Sequence, residues 1–334
     1  MLYKFDGISG FLDIDKFLCG NKDNNVFQSV FYYKLNLQSS ESKPYYIVCE
    51  ENGGIKGIML INTQNFFGKL LKKFASRSVI IGGPVVDGSN PETAQKIFDY
   101  YISTLPKEVI YTQIRNINSL GYCHDVMLNA GYKYTDHANY LIDLCESEEN
   151  LWNKVYSKRR NEIRRASKEG VSVREINEKK EFDESYKILS LVYTKAKLPL
   201  PDRDYFINAK NLSDGTFKAF GAFYEGILIG FLYALCYNGR VYNWYAGSIS
   251  DFLKKYPNDI ITWEVIKWAK INGYSKFDFG GAGNPKKEYG VRDFKKKFGG
   301  NEVNYGRYEL IHKPGQMKMS EFGFRTWQII RGKK

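Results

Sequence analysis

Apolar and polar positions along the chain follow two periods, and the same succession of periods occurs twice. Residues 24–37 carry apolar side chains at helical spacing and predict one amphipathic helix. Residues 44–50 and 55–61 read as strands joined by a turn at Gly53-Gly54, that is, a hairpin. Residues 78–86 predict another strand. Asn90-Pro91-Glu92 then opens a helix running to about Thr104, with Pro91 at its first position. A strand over 109–114, a short helix over 120–130 stopped by Gly131, and a strand over 139–144 complete the half.

The second half repeats this order. Residues 182–196 predict a helix, and 217–224, 227–237 and 241–246 predict a strand meander with turns at Glu225-Gly226 and Asn238-Gly239. Pro257-Asn258-Asp259 opens a helix ending near Gly273. A strand over 276–279, a short helix over 291–298, a stop at Gly299-Gly300 and a last strand over 303–310 follow. Between the halves, residues 147–170 predict a helix capped by Ser147, with Trp152, Val155, Ile163 and Ala166 as its apolar stripe. Antiparallel strands, then a helix and further strands, make an α/β (α+β) chain: mixed, mostly antiparallel sheets flanked by helices. The expected domains are 1–146 and 147–334, the second beginning with the basic helix 151–170.

Composition narrows the class. Of 334 residues, 43% are hydrophobic, enough for a sizeable core. Lysine and arginine total 49 against 37 acidic residues, a formal charge of +12, which favours anionic partners. Five cysteines lie far apart with no CxxC pair, and three histidines (His124, His137, His312) show no metal-ligand spacing. No metal site is expected, and a reducing compartment is. The first 20 residues contain Asp6, Asp13 and Asp15 and no apolar run, so they are read as no signal peptide, and the protein is expected in the cytoplasm. The basic, amphipathic segment 322–334 is expected to pack on the fold, with peripheral contact to an anionic membrane as the alternative.

Three stretches carry candidate chemistry. In SKRRNEIRRASKEG (157–170), Arg160, Arg164 and Lys168 recur every four residues and align cations on one side of a helix, a surface suited to a diphosphate or an RNA backbone, or simply a solvated face. WYAGS (244–248) ends a strand. There Trp244 and Tyr245 either wall a cleft or divide into a core tryptophan and a surface tyrosine. FDFGGAG (277–283) runs a strand into a glycine-rich loop that lets a ligand approach the backbone, and YGVRDFKKKFGG (289–300) follows. It is neither a P-loop nor a dinucleotide fingerprint. Side chains on a helix are about 100° apart, so at most one or two of Lys295, Lys296 and Lys297 face inward.

Taken together, SKRRNEIRRASKEG, WYAGS, FDFGG and FKKKFGG, in this order, resemble the FemAB family of peptidoglycan-bridge aminoacyltransferases and their relatives, most strongly over 151–310. The stretch VFQSVFYYK (26–34) is similar to that family's opening helix. The resemblance implies two tandem GNAT-like domains and transfer of an amino acid from aminoacyl-tRNA, with no other cofactor, to an amine of an anionic, nucleotide- or lipid-linked envelope precursor. It implies that Lys34 contacts the precursor's phosphate region, that Arg203 and Tyr245 bind substrate, and that Lys295 matches the lysine of the family's FK motif, which steadies developing negative charge. A long coiled-coil arm found in many members has no counterpart in this sequence.

The expected chemistry is attack of an amine on an ester or thioester carbonyl. Lys295 stabilises the tetrahedral oxyanion. Asp278 is a candidate base, its alternative role being a structural acid at a sheet edge, and Tyr245 or a substrate phosphate is an alternative proton relay. Two rivals stand beside this reading. One is an acyl-CoA-dependent N-acyltransferase acting on a nucleotide sugar, although no [QR]xxGx[GA] loop follows either meander. The other is a non-enzymatic RNA-binding protein, although no RRM, KH or helix-turn-helix pattern is present.

Overall fold

In a computed structural model of the chain, residues 1–5, 10–65, 76–320 and 323 are described. The basic segment 322–334, apart from residue 323, lies outside them. The chain forms two compact units, Met1–Asp136 with Tyr305–Lys334, and His137–Asn304. Each is a mixed sheet flanked by helices. No helix among the described residues is long and apolar enough to cross a membrane.

The first unit begins with β1 (Leu2–Phe5), α1 (Phe11–Cys19) and α2 (Val30–Leu37). A meander of β2 (Ser42–Glu51), β3 (Gly54–Asn65) and β4 (Ser76–Ile81) follows, and β5 (Val85–Val86) adds to β3. Helix α3 (Pro91–Ser103) carries the chain over to β6 (Val109–Arg115), which lies parallel to β4. Asn90 caps α3 by accepting from the amides of Glu92 and Thr93. After α4 (His124–Asn129) comes the edge strand β7 (Lys133–Thr135). The core of this unit joins Ile47, Met59, Ile61 and Ile80 of the sheet to Ile97, Phe98 and Tyr101 of α3.

The second unit opens with β8 (Ala138–Asp143), α5 (Glu148–Lys154) and α6 (Ser157–Lys168). Strand β9 (Ser172–Glu175) and helices α7 (Lys179–Lys195) and α8 (Arg203–Asn211) precede the meander β10 (Phe217–Tyr224), β11 (Ile227–Tyr237) and β12 (Arg240–Ser248). Helix α9 (Pro257–Ile271) crosses to β13 (Lys276–Gly281), parallel to β12. Helix α10 (Gly290–Lys296), β14 (Asn301–Asn304) and β15 (Arg307–Ile311) follow. Strand β11 is buried on both faces, which is why it reads as an unbroken apolar run, and α7 and α9 both pack against it.

Hairpin turns obey the sequence closely. Asn52-Gly53, Glu225-Gly226 and Asn238-Gly239 all have positive φ at both central residues, the twist-matched geometry of two-residue hairpins. The first turn thus falls one residue before the expected Gly53-Gly54.

Four expectations are corrected by local physics. The helix expected over 24–37 breaks at Ser29, whose extended backbone (φ −78°, ψ 160°) lets its hydroxyl cap α2. The strand expected over 78–86 is interrupted at Gly82-Gly83-Pro84, where the Gln28 side chain enters. Gln28 Nε2 donates to the Ile81 carbonyl at 2.8 Å, and its Oε1 accepts from the Leu60 amide at 2.7 Å. The helix expected over 147–170 splits into α5 and α6 because Val155 turns extended (φ −65°, ψ 131°).

The fourth correction concerns residues 303–310, which form two strands in different sheets rather than one. Strand β14 pairs with β8 in the second unit, whereas β15 enters the first sheet between β6 and β7. Reciprocally, β8 lies between β13 and β14 of the second sheet, though the sequence boundary at 146/147 assigns it to the first domain. The first sheet therefore has an inner strand, β15, supplied by the far end of the sequence, and the compact units divide at His137 and Tyr305 instead of at 146/147. Gly306 makes the switch possible: its φ is +70°, and a Cβ there would lie 2.0 Å from the Tyr134 ring. Gly306→Ala is expected to lose at least about 2 kcal/mol from left-handed strain and overlap. Urea denaturation of the purified variant checks this, and an unchanged midpoint contradicts it.

Candidate functional site

The parallel strands β12 and β13 pair over three positions only: Arg240↔Lys276, Val241↔Phe277 and Tyr242↔Asp278. Beyond these the ladder ends while both strands continue, so the sheet forks. Tyr242 stands in the fork, close enough that a Cβ on Gly280 would lie 2.9 Å from its hydroxyl. The parallel pair of the first unit, β4 and β6, behaves differently and stays in register from Ser76↔Val109 to Ile81↔Arg115, with one irregularity near its start.

Asp278 sits at the fork point and is fully buried (0% exposed). Its Oδ1 accepts from Asn139 Nδ2 at 2.7 Å and from the Gly280 amide at 2.8 Å, while Oδ2 faces Arg240 at 3.4 Å. Burial pushes its pKa up, against Arg240, the Asn139 and Gly280 hydrogen bonds, and Lys295. Of the two roles open in the sequence, this geometry fits the structural acid. The carboxylate ties β8, β12 and β13 together and is spoken for on both oxygens.

Lys295, on α10, turns its ammonium onto the end of β13. It donates to the carbonyls of Phe279 at 2.6 Å, Gly280 at 3.0 Å and Gly281 at 2.8 Å. All three protons are thus engaged with the glycine-rich loop just past the fork. Burial pulls its pKa down to about 8, opposed by the charge of Asp278. Lys296 is exposed and Lys297 half-buried, so among the three lysines Lys295 is the one drawn onto the loop.

On β12, a bulge changes the reading of WYAGS. Tyr233 faces Tyr245 and Ala234 faces Asn243, leaving Trp244 as the extra residue. The bulge cancels the usual alternation, and both rings turn to α8. Phe206 lies 5.6 Å from Trp244 and 5.0 Å from Tyr245, and Tyr193 of α7 lies 5.7 Å from Tyr245. Both are half-buried, forming an aromatic wall rather than a core tryptophan beside a surface tyrosine.

Arg203 begins α8 and is paired with Asp183 of α7 through Nε at 2.8 Å and a second contact from its Nη2. Arg160 and Arg164 do not form the open cationic row expected of them. Arg160 donates to the Asn153 carbonyl at 2.9 Å, closing the end of α5, and Arg164 lies over the Trp152 ring at 5.2 Å. Lys34, in the first unit, is exposed on α2 and lies 5.4 Å from the Phe11 ring centroid.

Several residues with positioning roles carried no sequence signal of their own. Asn139 reaches Asp278 from β8, 139 positions away in the chain. Arg159, in the basic run, is half-buried: it pairs with Asp259 of α9 and with Glu162, and lies 4.7 Å from the Phe294 ring of α10. It thereby braces the helix that carries Lys295. Arg292, also on α10, holds the loop below by donating to the Asn284 carbonyl at 2.6 Å and to that of Lys287.

Comparisons with known proteins agree with this architecture. The FemAB family profile matches residues 64–214, and the profile of the acetyltransferase (GNAT) domain matches 156–296. The chain is 26% identical over 245 residues to the UDP-N-acetylmuramoylpentapeptide-lysine N(6)-alanyltransferase of Weissella viridescens, covering 68% of this chain and 72% of that protein. The crystal structure of FemX superposes with a TM-score of 0.73 at 15% identity, covering 95% of this chain and 99% of that one. The L-PGS structure from Bacillus licheniformis gives 0.58 at 14% identity, covering 99% and 98%. At these identities the two structures speak for the fold.

Two outcomes follow from the fork. Asp278→Asn removes the charge facing Arg240 and places a second amide against Asn139 and Gly280. It is expected to cost about 3 kcal/mol, as for one partner of a buried ion pair, and an unshifted urea midpoint would contradict this. For Lys295, the folded pKa of about 8 lies below the ordinary 10.5, so between these values the unfolded chain binds more protons. Wild-type stability relative to Lys295→Met is therefore expected to rise with pH through that window and to be flat below it. Parallel denaturation series from pH 7 to 10.5 test the sign.

Proposed function

The chain belongs to the FemAB family of acyltransferases, and on that premise we propose that it transfers an amino acid from aminoacyl-tRNA to an amine of a nucleotide-linked peptidoglycan precursor in the cytoplasm. The observation that carries the reading is the forked strand pair of the second unit with the buried Lys295 ammonium at its mouth. The Weissella relative's name supplies the reaction type: alanine added to a lysine side chain of a UDP-linked muramoyl peptide.

The acceptor nitrogen adds to the ester carbonyl, forming the C–N bond and an oxyanion. The C–O bond to the ribose then breaks, and the proton lost by nitrogen ends on the departing ribose oxygen. Lys295 gives one of its three neutral carbonyl partners up for the oxyanion. A hydrogen bond to a charged acceptor is roughly twice as strong as one to a neutral acceptor, so the exchange favours the transition state. With its pKa drawn to about 8, the same group is matched to carry the proton between nitrogen and leaving oxygen. Trp244 and Tyr245 wall the acceptor side. The family resemblance assigns Lys34 of the first unit to the precursor's phosphate region and Arg203 of the second to substrate binding.

The GNAT-domain match over 156–296 makes acyl-CoA the donor to test beside aminoacyl-tRNA. Purified protein is incubated with a UDP-linked muramoyl pentapeptide and either alanyl-tRNA or acetyl-CoA, and the product is weighed by mass spectrometry. A mass gain of one amino acid with the tRNA donor is expected. Acetylation in its place overturns the donor assignment. Lys295→Ala is expected to lower turnover about 100- to 1000-fold, the usual effect of deleting one oxyanion donor, and near-normal turnover refutes its role.

A further inference from the structure

The first sheet carries a second concentration of charge, away from the fork. Arg115 of β6 and Arg307 of β15 are direct antiparallel partners, so their side chains stand on the same face. Arg77 of β4 is in register with Tyr111 of β6, and its guanidinium donates to the Tyr111 hydroxyl at 3.3 Å. Because Tyr111, Gln113 and Arg115 alternate onto one side of β6, three guanidinium groups from three adjacent strands share that side. The opposite side, with Thr112, Ile114 and Tyr308, is buried in the core.

Like charges placed directly opposite in a sheet are destabilising, and this pair bears the mark of it. Burial, then Arg77, then Arg307, draw the Arg115 pKa down to about 10, with the Tyr32 and Tyr111 hydroxyls opposing. The forks are also held by neutral acceptors. Gln64 Oε1 accepts from Arg77 at 3.2 and 3.1 Å, and Gln113 Oε1 accepts from Arg115 at 2.7 Å. These amide oxygens fix the orientation of the Arg77 and Arg115 guanidinium groups. The Glu309 carboxylate lies on the same face and accepts from Gln113 at 3.5 Å.

We propose that this face of the first sheet binds a phosphate-bearing small molecule through Arg77, Arg115 and Arg307. Three planar forks match the several oxygens of a phosphate or diphosphate better than the two of a carboxylate. The inference does not require the transfer reaction, and it concerns residues apart from Lys295.

Full-length protein is melted in sodium pyrophosphate and in sodium chloride at equal ionic strength, and pyrophosphate affinity is measured by calorimetry. Expected are a pyrophosphate-specific rise in melting temperature and at least ten-fold weaker binding in each of Arg77→Gln, Arg115→Gln and Arg307→Gln. Lys295→Ala is expected to bind pyrophosphate as the wild type does, which separates this site from the fork. Circular dichroism establishes that each variant is folded. Should Arg115→Gln fail to fold, the half-buried Arg77 and Arg307 decide. No pyrophosphate-specific rise in the wild type, or wild-type affinity in two folded variants, overturns the proposal.

Discussion

A buried carboxylate holds the second unit in its working shape. Asp278 receives an amide from β8, a main-chain N–H from its own strand and a guanidinium from β12. A charge taken fully out of water is tolerated only when its oxygens are satisfied in this way. Because the three donors come from three places in the chain, satisfying the carboxylate fixes where β12 and β13 meet and therefore where they separate. The loop that follows is then held from the other side by Lys295, whose own attraction to Asp278 spans the short strand end. The fork, the glycine-rich loop and the ammonium thus share one electrostatic origin.

The two units show how one framework can take two shapes at its parallel strands. Both contain a meander, a crossing helix that begins with proline, and a parallel strand. In the first, the parallel strands stay registered to the end of β4, and the Gln28 amide fills the gap where the neighbouring strands β3 and β4 diverge. In the second, the parallel strands themselves diverge, and the space is bounded by Tyr242 and the Lys295-held carbonyls. The same topology thus yields a closed sheet in one case and an open one in the other.

Much of this was legible in the sequence because local rules govern it. Hairpin turns, the proline-started helices and the inward turn of one lysine in FKKKF follow from backbone geometry and periodicity. What could not be read was decided by distant partners. Ser29 and Val155 break helices whose apolar pattern runs on unbroken, and Gly306 divides a run of strand-forming residues between two sheets. The bulge at Trp244 reverses the inside-outside alternation expected of β12. Charge was the poorest guide. Arg160 and Arg164 look like an open cationic row but serve as a helix cap and a tryptophan contact, while Arg159, ion-paired to α9, looks no different from them in the sequence. A periodic pattern reports which side of a helix a residue occupies, not what lies there.

The return of β15 to the first sheet also governs the order in which the protein can be made. A ribosome releases β6 and β7 long before β15, so the first sheet waits with an inner place empty until nearly the whole chain has emerged. Contacts of such long sequence separation slow folding and prolong the exposure of unpaired strand edges. The first unit is therefore a poor candidate for separate expression: cut before Tyr305, it would present the open edges of β6 and β7 to any passing strand.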